Sequence, residues 1–230
     1  MEYKCLLICY GTGERASVNR RALSEVDHGG GPRELRKQRT HRALLDAALE
    51  LTEEQGFSSV SLRQVTKAVG IVPTAFYRHY ASMDALGESL VTESFTSLRG
   101  MMRTARAETQ DYSEVIHRSA VVLVRYVHLH RAHFRFIIRE RSGGVREIRE
   151  SIQEHLRLFV TELAADLAGF PVLEPWLESD RVLLAEVIVN QMVVVAERIL
   201  DAPGNADAAI ARAERQLRMV LVGAASWRSE

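Results

Sequence analysis

The chain has 230 residues, 47% of them hydrophobic, and carries 30 basic and 30 acidic side chains. That length admits one large domain or a small domain joined to a larger one, with ample apolar material for a core. Formal neutrality gives no support to a nucleic-acid partner from whole-chain charge, so only its distribution along the chain can do so.

Residues 1–32 lack periodicity and end in Gly29-Gly30-Gly31-Pro32, which predicts a flexible leader. A tail that orders on DNA, and residues upstream of the true start, are the alternatives. Cys5 and Cys9 both lie there and are the only thiols. A disulfide framework is therefore excluded and a cytoplasmic setting favoured. Cys-x3-Cys without a nearby histidine is not a zinc site. The apolar run from Cys5 to Tyr10 is too short for a signal peptide, and no small-residue cleavage site follows it.

After Pro32 the pattern is helical almost throughout, and the expected fold class is all-α. Leu45, Ala48, Leu49 and Thr52 share one face of a first helix, over about 35–55, which Gly56 stops. Ser61-x-x-Gln64 has the form of a capping box at the start of a short second helix that ends at Gly70. Pro73 then stands where a third helix begins, a position at which a missing N–H costs nothing. Ser82 can cap a fourth helix, with Asp84 suited to its positive end. Further helices are expected at about 112–130, 133–140, 144–168, 177–201 and 206–227. Ile148, Ile152, His155, Phe159 and Leu163 mark the apolar stripe of the 144–168 helix. The valine-rich stretch over 182–200 is interrupted by Glu186, Asn190, Gln191, Glu197 and Arg198, so it does not read as a membrane span.

Ser61 to Tyr80 reads as two short helices around a tight turn, closed by Val65, Val69, Ile71 and Phe76. This is the pattern of a helix-turn-helix that offers its second helix to the major groove. Pro73, Thr74 and Ala75 open that helix, and the side chains of Thr74 and Ala75 are short enough to approach base edges and thymine methyls. Tyr77, Arg78 and His79 follow on the side expected to be exposed, where they can donate to phosphates. Arg63 on the supporting helix and Lys37, Arg39 and Thr40 at the start of the first helix supply further phosphate contacts. Residues 33–80 hold eight basic and five acidic side chains, a mild local excess that fits DNA at one end of the chain.

The stretch 40–90 resembles the DNA-binding domain of the TetR family. The pieces that carry the resemblance are ALLDAALELTEEQGF (43–57), SLRQVTKAVGI (61–71), TAFYRHYAS (74–82) and DALGESLV (84–91). Tyr77-Arg78-His79-Tyr80 stands where family domains carry Tyr-x-x-Phe, and Met83 replaces their usual lysine. The resemblance implies a dimeric, all-helical regulator, most often a repressor released by a small ligand. The implied division is a leader over 1–32, the helix-turn-helix domain over 33–82, and a ligand-binding and dimerisation domain over 83–230.

Phe134 to Gly143, with the wording at 72–80 and 84–94, is similar to one branch of that family, the FabR and DesT regulators of unsaturated fatty acid synthesis. That likeness implies a long-chain acyl-CoA or acyl carrier protein thioester as effector, with no cofactor. An acyl chain needs an apolar tunnel and its head needs cations. Phe95, Leu98, Met101 and Met102 on the connecting helix, with Phe159, are candidates to line the tunnel. Arg139 and Arg141 are candidates to meet the head group, or to hold the helix that couples the two domains. Core packing explains the apolar residues as well, and a salt-bridge cluster explains Arg139-Glu140-Arg141. The last two helices are the expected dimer interface, because Val187, Ile188, Val189, Met192, Val193, Val194 and Val195 nearly encircle the first of them. A dimer implies a palindromic operator. A multidrug or antibiotic sensor of the same fold is the alternative. A small-molecule enzyme is the distant one, since there is no phosphate loop, no G-x-S-x-G elbow and no metal-ligand cluster in the sequence.

Overall fold

The computed structural model describes residues 32–107, 112–202, 204–224 and 226–228. The leader expected over 1–32 and both cysteines lie outside the described residues, Pro32 excepted. The chain divides into two compact units, Met1–Arg36 and Lys37–Glu230. All contacts below are within the second.

Among the described residues the fold is all-helical: α1 (Pro32–Gln55), a short 3-10 helix (Phe57–Ser59), α2 (Leu62–Val69), α3 (Pro73–Phe76), α4 (Met83–Ala107), α5 (Tyr112–Leu129), α6 (Arg131–Glu140), α7 (Arg146–Leu167), α8 (Glu178–Asp201) and α9 (Ala206–Ala224). Local chemistry sets several of these limits. The Ser61 hydroxyl accepts from the Gln64 amide at 3.3 Å, while the Gln64 side chain accepts from the Ser61 N–H at 2.8 Å. The predicted capping box is therefore present in both directions. Gly70 closes α2 in the left-handed region, at φ 73° and ψ 30°. That lets Ile71 N–H reach the Thr66 carbonyl at 3.0 Å, a closure that a side chain at this backbone angle would strain. Pro73 opens α3, and the Ser82 hydroxyl accepts from Ala85 N–H at 3.1 Å to cap α4.

One difference from expectation concerns α3, which is a single α-helical turn. Beyond it the backbone tightens, with Arg78 N–H on the Ala75 carbonyl at 3.2 Å and His79 N–H on the Phe76 carbonyl at 2.8 Å. The next residue, Tyr80, is thereby turned back into the core. Its ring stacks on His41 with centroids 4.6 Å apart, and its hydroxyl lies 3.0 Å from His41 Nε2.

The core is continuous. Leu44, Leu45, Ala48, Leu49 and Thr52 of α1 are buried, as are Leu86, Leu90 and Val91 of α4 and Ile148, Ile152 and Phe159 of α7. Long α4 packs on α5, α6 and α7, while α8 packs on α5, α6, α7 and α9. Gly87 marks a close approach between α4 and its neighbours. A Cβ there would stand 2.5 Å from Ile148 Cδ1 and 2.9 Å from Phe57 Cζ. No described helix is long and apolar enough to cross a membrane.

Candidate nucleic-acid interface

Val65 and Phe76 are fully buried, and Val69 and Ile71 pack against the same core. The four residues expected to close the helix-turn-helix therefore do so, and they fix which side of each helix faces outward. Arg63 and Lys67 on α2 are exposed, as are Val72, Pro73, Thr74, Tyr77 and Arg78 in and around α3. Tyr77 and Val72 expose 62% and 64% of their surface. Ala75 is half-buried.

From α1, Lys37 and Arg39 are exposed and Thr40 is half-buried. Lys37, His41 and Arg78 all act electrostatically on His79, so the start of α1 and the residues after α3 share one positive neighbourhood. Sequence reasoning passed over Lys67 and Val72. The signal for Lys67 was available, since it lies one helical turn after Arg63.

His79 departs from the exposed position expected of it. It is half-buried, and its Nδ1 is enclosed without a hydrogen-bond partner. The tightened backbone after Phe76 rotates its ring toward His41, with centroids 6.4 Å apart. Burial, and then the charges of His41, Lys37 and Arg78, hold His79 below the ordinary histidine range. His130 and His133 are also depressed, first by burial; Arg42 adds to this for both, and His130 adds to it for His133. A histidine that is harder to protonate when folded binds fewer protons than it does unfolded, so stability falls with pH below the ordinary value of about 6.5. We expect the melting temperature to drop between pH 7.5 and 5.5 at constant ionic strength. A flat or rising profile would contradict this.

The seven effector candidates do not form one site. Phe95, Leu98, Met102 and Phe159 are buried, and Phe95 meets Phe159 edge-on at 6.0 Å and stacks on His155 at 5.2 Å. Met101 is 39% exposed, against the expectation that it faces inward. Residues 95, 98 and 102 recur at helical spacing, and position 101 is turned about 100° from position 102. Arg139 and Arg141 lie elsewhere. Arg139 Nη1 donates to the Thr52 carbonyl at 2.9 Å and the Glu53 carbonyl at 3.3 Å, and Arg141 pairs with Glu197 at 3.3 Å. The last carbonyls of a helix lack partners within it and carry partial negative charge, so Arg139 is drawn to the end of α1. It borders an open groove of about 510 Å³ with Thr52, Glu53, Arg135, Glu197 and Asp201, not the Phe95 cluster.

Residues 44–90 match the family model described as bacterial regulatory proteins, tetR family. This chain carries the TetR-type DNA-binding domain. Its helix-turn-helix, α2 and α3, lies wholly inside the matched stretch. Solved structures share the remainder of the TetR-type fold. A fatty acid degradation regulator, FadR, from Bacillus halodurans is 17% identical, with a TM-score of 0.68 over 87% of this chain and 99% of that one. A TetR-like transcriptional regulator from Rhodococcus sp. RHA1 is 19% identical, with a TM-score of 0.64 over 80% and 96%. SmeT in complex with triclosan is 18% identical, with a TM-score of 0.64 over 81% and 91%.

Proposed function

We propose that the protein is a cytoplasmic repressor that binds a palindromic operator as a homodimer and is governed by a small hydrophobic effector. The observation that carries this reading is the two-helix reader, which turns Arg63, Lys67, Thr74, Tyr77 and Arg78 outward while Val65 and Phe76 are buried in the core. Thr74 and Ala75 approach base edges, Pro73 sets the entry of α3, and Lys37, Arg39, Thr40, Arg63, Tyr77 and Arg78 serve the phosphates, while the enclosed ring of His79 stays back from them. Selection of bound DNA from a random duplex pool tests it. Enrichment of an inverted repeat is the expected result, and a pool that stays unenriched overturns the reading.

The dimer reading draws on a ridge of exposed apolar side chains. Leu183 and Val187 on α8 expose 57% and 51%, and Met219 and Val222 on α9 expose 71% and 72%. The two helices run antiparallel: Gln191 hydrogen-bonds Gln216 at 2.8 Å, and Trp227 Nε1 donates to Asp180 at 3.1 Å. Leu183 and Val187 therefore lie level with the end of α9. A twofold mate would cover this strip. The double variant Leu183→Arg, Val222→Arg should sediment as a folded monomer with reduced operator affinity. A dimer that survives both changes would place the interface elsewhere.

For the effector we favour a long-chain acyl thioester. The buried Phe95, Leu98, Met102 and Phe159 offer a contiguous apolar layer between α4 and α7 that could part around an acyl chain, with methionine tolerant of variable length. The fold shared with a regulator of fatty acid degradation supports the same choice. Ligand in that layer would shift α4 and so reset the spacing of the two readers. Arg139 and Arg141 reach the head group only if they leave their present partners. A drug-sensing role is the second reading, favoured by the fold shared with SmeT bound to triclosan. Native mass spectrometry of protein made in bacteria separates the two, since a co-purifying mass of acyl type fits only the first.

A further inference from the structure

The corner that follows α1 is held from the far side of the chain in both polarities. Arg139 Nη1 takes the Thr52 and Glu53 carbonyls, and Arg135 pairs with the Glu53 carboxylate at 3.3 Å. Two residues past the helix end, Phe57 N–H donates to Glu140 Oε1 at 3.0 Å. Glu140 is 3% exposed, so its carboxylate is committed to this place. Gly143 gives it room: a Cβ there would stand 2.2 Å from Glu140 Oε2. Arg149 braces the same turn through the Gly143 carbonyl at 2.6 Å. The Phe57 ring is 2% exposed, 6.0 Å edge-on from Phe136, in the space that Gly87 leaves open.

Packing alone would hold the ring. It would not require a buried carboxylate and a guanidinium, adjacent on α6, to grip the donor and acceptors on either side of Gly56. Apolar contacts resist separation but are non-directional, whereas hydrogen bonds to a helix end fix its orientation. The reader begins at Ser61, four residues beyond Phe57, and α1 leads into it, so this corner sets the angle at which the reader leaves α6.

We propose that Glu140 and Arg139 are positioning residues that fix the orientation of the helix-turn-helix and thereby set the half-site spacing the dimer accepts. This inference rests on the operator-binding reading above.

The test uses the full chain and the inverted repeat obtained by selection, with its centre lengthened or shortened by one base pair. One base pair moves a half-site by about 3.4 Å and rotates it by about 35°. Wild type should lose affinity about tenfold on either altered operator, a loss within the usual range of coupling between sites. Glu140→Ala and Arg139→Met should bind the selected operator more weakly yet discriminate among the three less than about threefold, because a loosened corner can follow the displaced site. Glu140→Gln keeps an acceptor for the Phe57 N–H and should restore discrimination. Amide exchange at Phe57 should accelerate in Glu140→Ala and not in Glu140→Gln. Where Glu140→Ala fails to melt cooperatively, Arg139→Met carries the comparison, since its side chain is exposed. Undiminished discrimination in both loosening variants overturns the positioning role alone and leaves a role in stability. Wild type that binds no duplex overturns the functional reading first, and this role with it.

Discussion

Phe76→Ala is expected to abolish operator binding while leaving most of the helical content in place. Phe76 is fully buried at the join of α3 with its neighbours, its ring 5.6 Å from Tyr77 and 5.8 Å from Tyr80. Truncating a buried phenylalanine costs about 3–5 kcal/mol, from lost transfer energy and the cavity left behind. Set against a typical domain stability of about 5–15 kcal/mol, that loss need not unfold the whole chain. It falls, however, on an eight-residue helix and a one-turn helix that have few other core groups. Hydrogen exchange should show α2 and α3 opened while α5, α7 and α8 stay protected, and circular dichroism should change little. Operator affinity within about twofold of wild type would mean that the reader does not depend on this core.

The second large effect is that of salt. If Lys37, Arg39, Arg63 and Arg78 each neutralise a phosphate from both copies, eight phosphates are engaged, and affinity should fall by about 10³–10⁵ between 50 and 200 mM monovalent salt. Arg78→Ala, which removes one cation per copy, should lower the slope of log affinity against log salt by about 2. It should also weaken binding to unrelated duplex to the same degree, because a phosphate contact carries no sequence information. A slope that Arg78→Ala leaves unchanged would remove this residue from the interface. Tyr77→Ala should weaken binding to all sequences as well, through loss of its hydroxyl contact and of the exposed ring beside it.

What could be read from the sequence was what is decided locally. The box at Ser61 and Gln64, the stop at Gly70, the opening at Pro73 and the cap at Ser82 are each settled within a few residues, and each formed as expected. Helical periodicity likewise placed Leu45, Ala48 and Leu49 inside. The 3-10 turn at Phe57–Ser59 had no such signal, because Phe57 is held by α6, more than eighty residues away. The same distance hides the task of Arg139, whose spacing within α6 says nothing of α1. His79 was misplaced because an α-helical period was extended past Phe76, where the backbone winds more tightly. Phe95 and Phe159 show a different limit: the pattern that buries a residue is the same whether it faces a neighbour or a ligand.

The brevity of α3 bears on how a genome is searched. With one helical turn before the chain tightens, α3 has only Thr74, Ala75 and the adjacent Val72 to offer to a groove floor, so on the operator-binding reading each copy would register just a few base pairs. A lone copy would settle almost anywhere on a chromosome. Choosiness must come from counting two short words at one fixed separation, which makes the rigidity between readers as informative as the letters themselves.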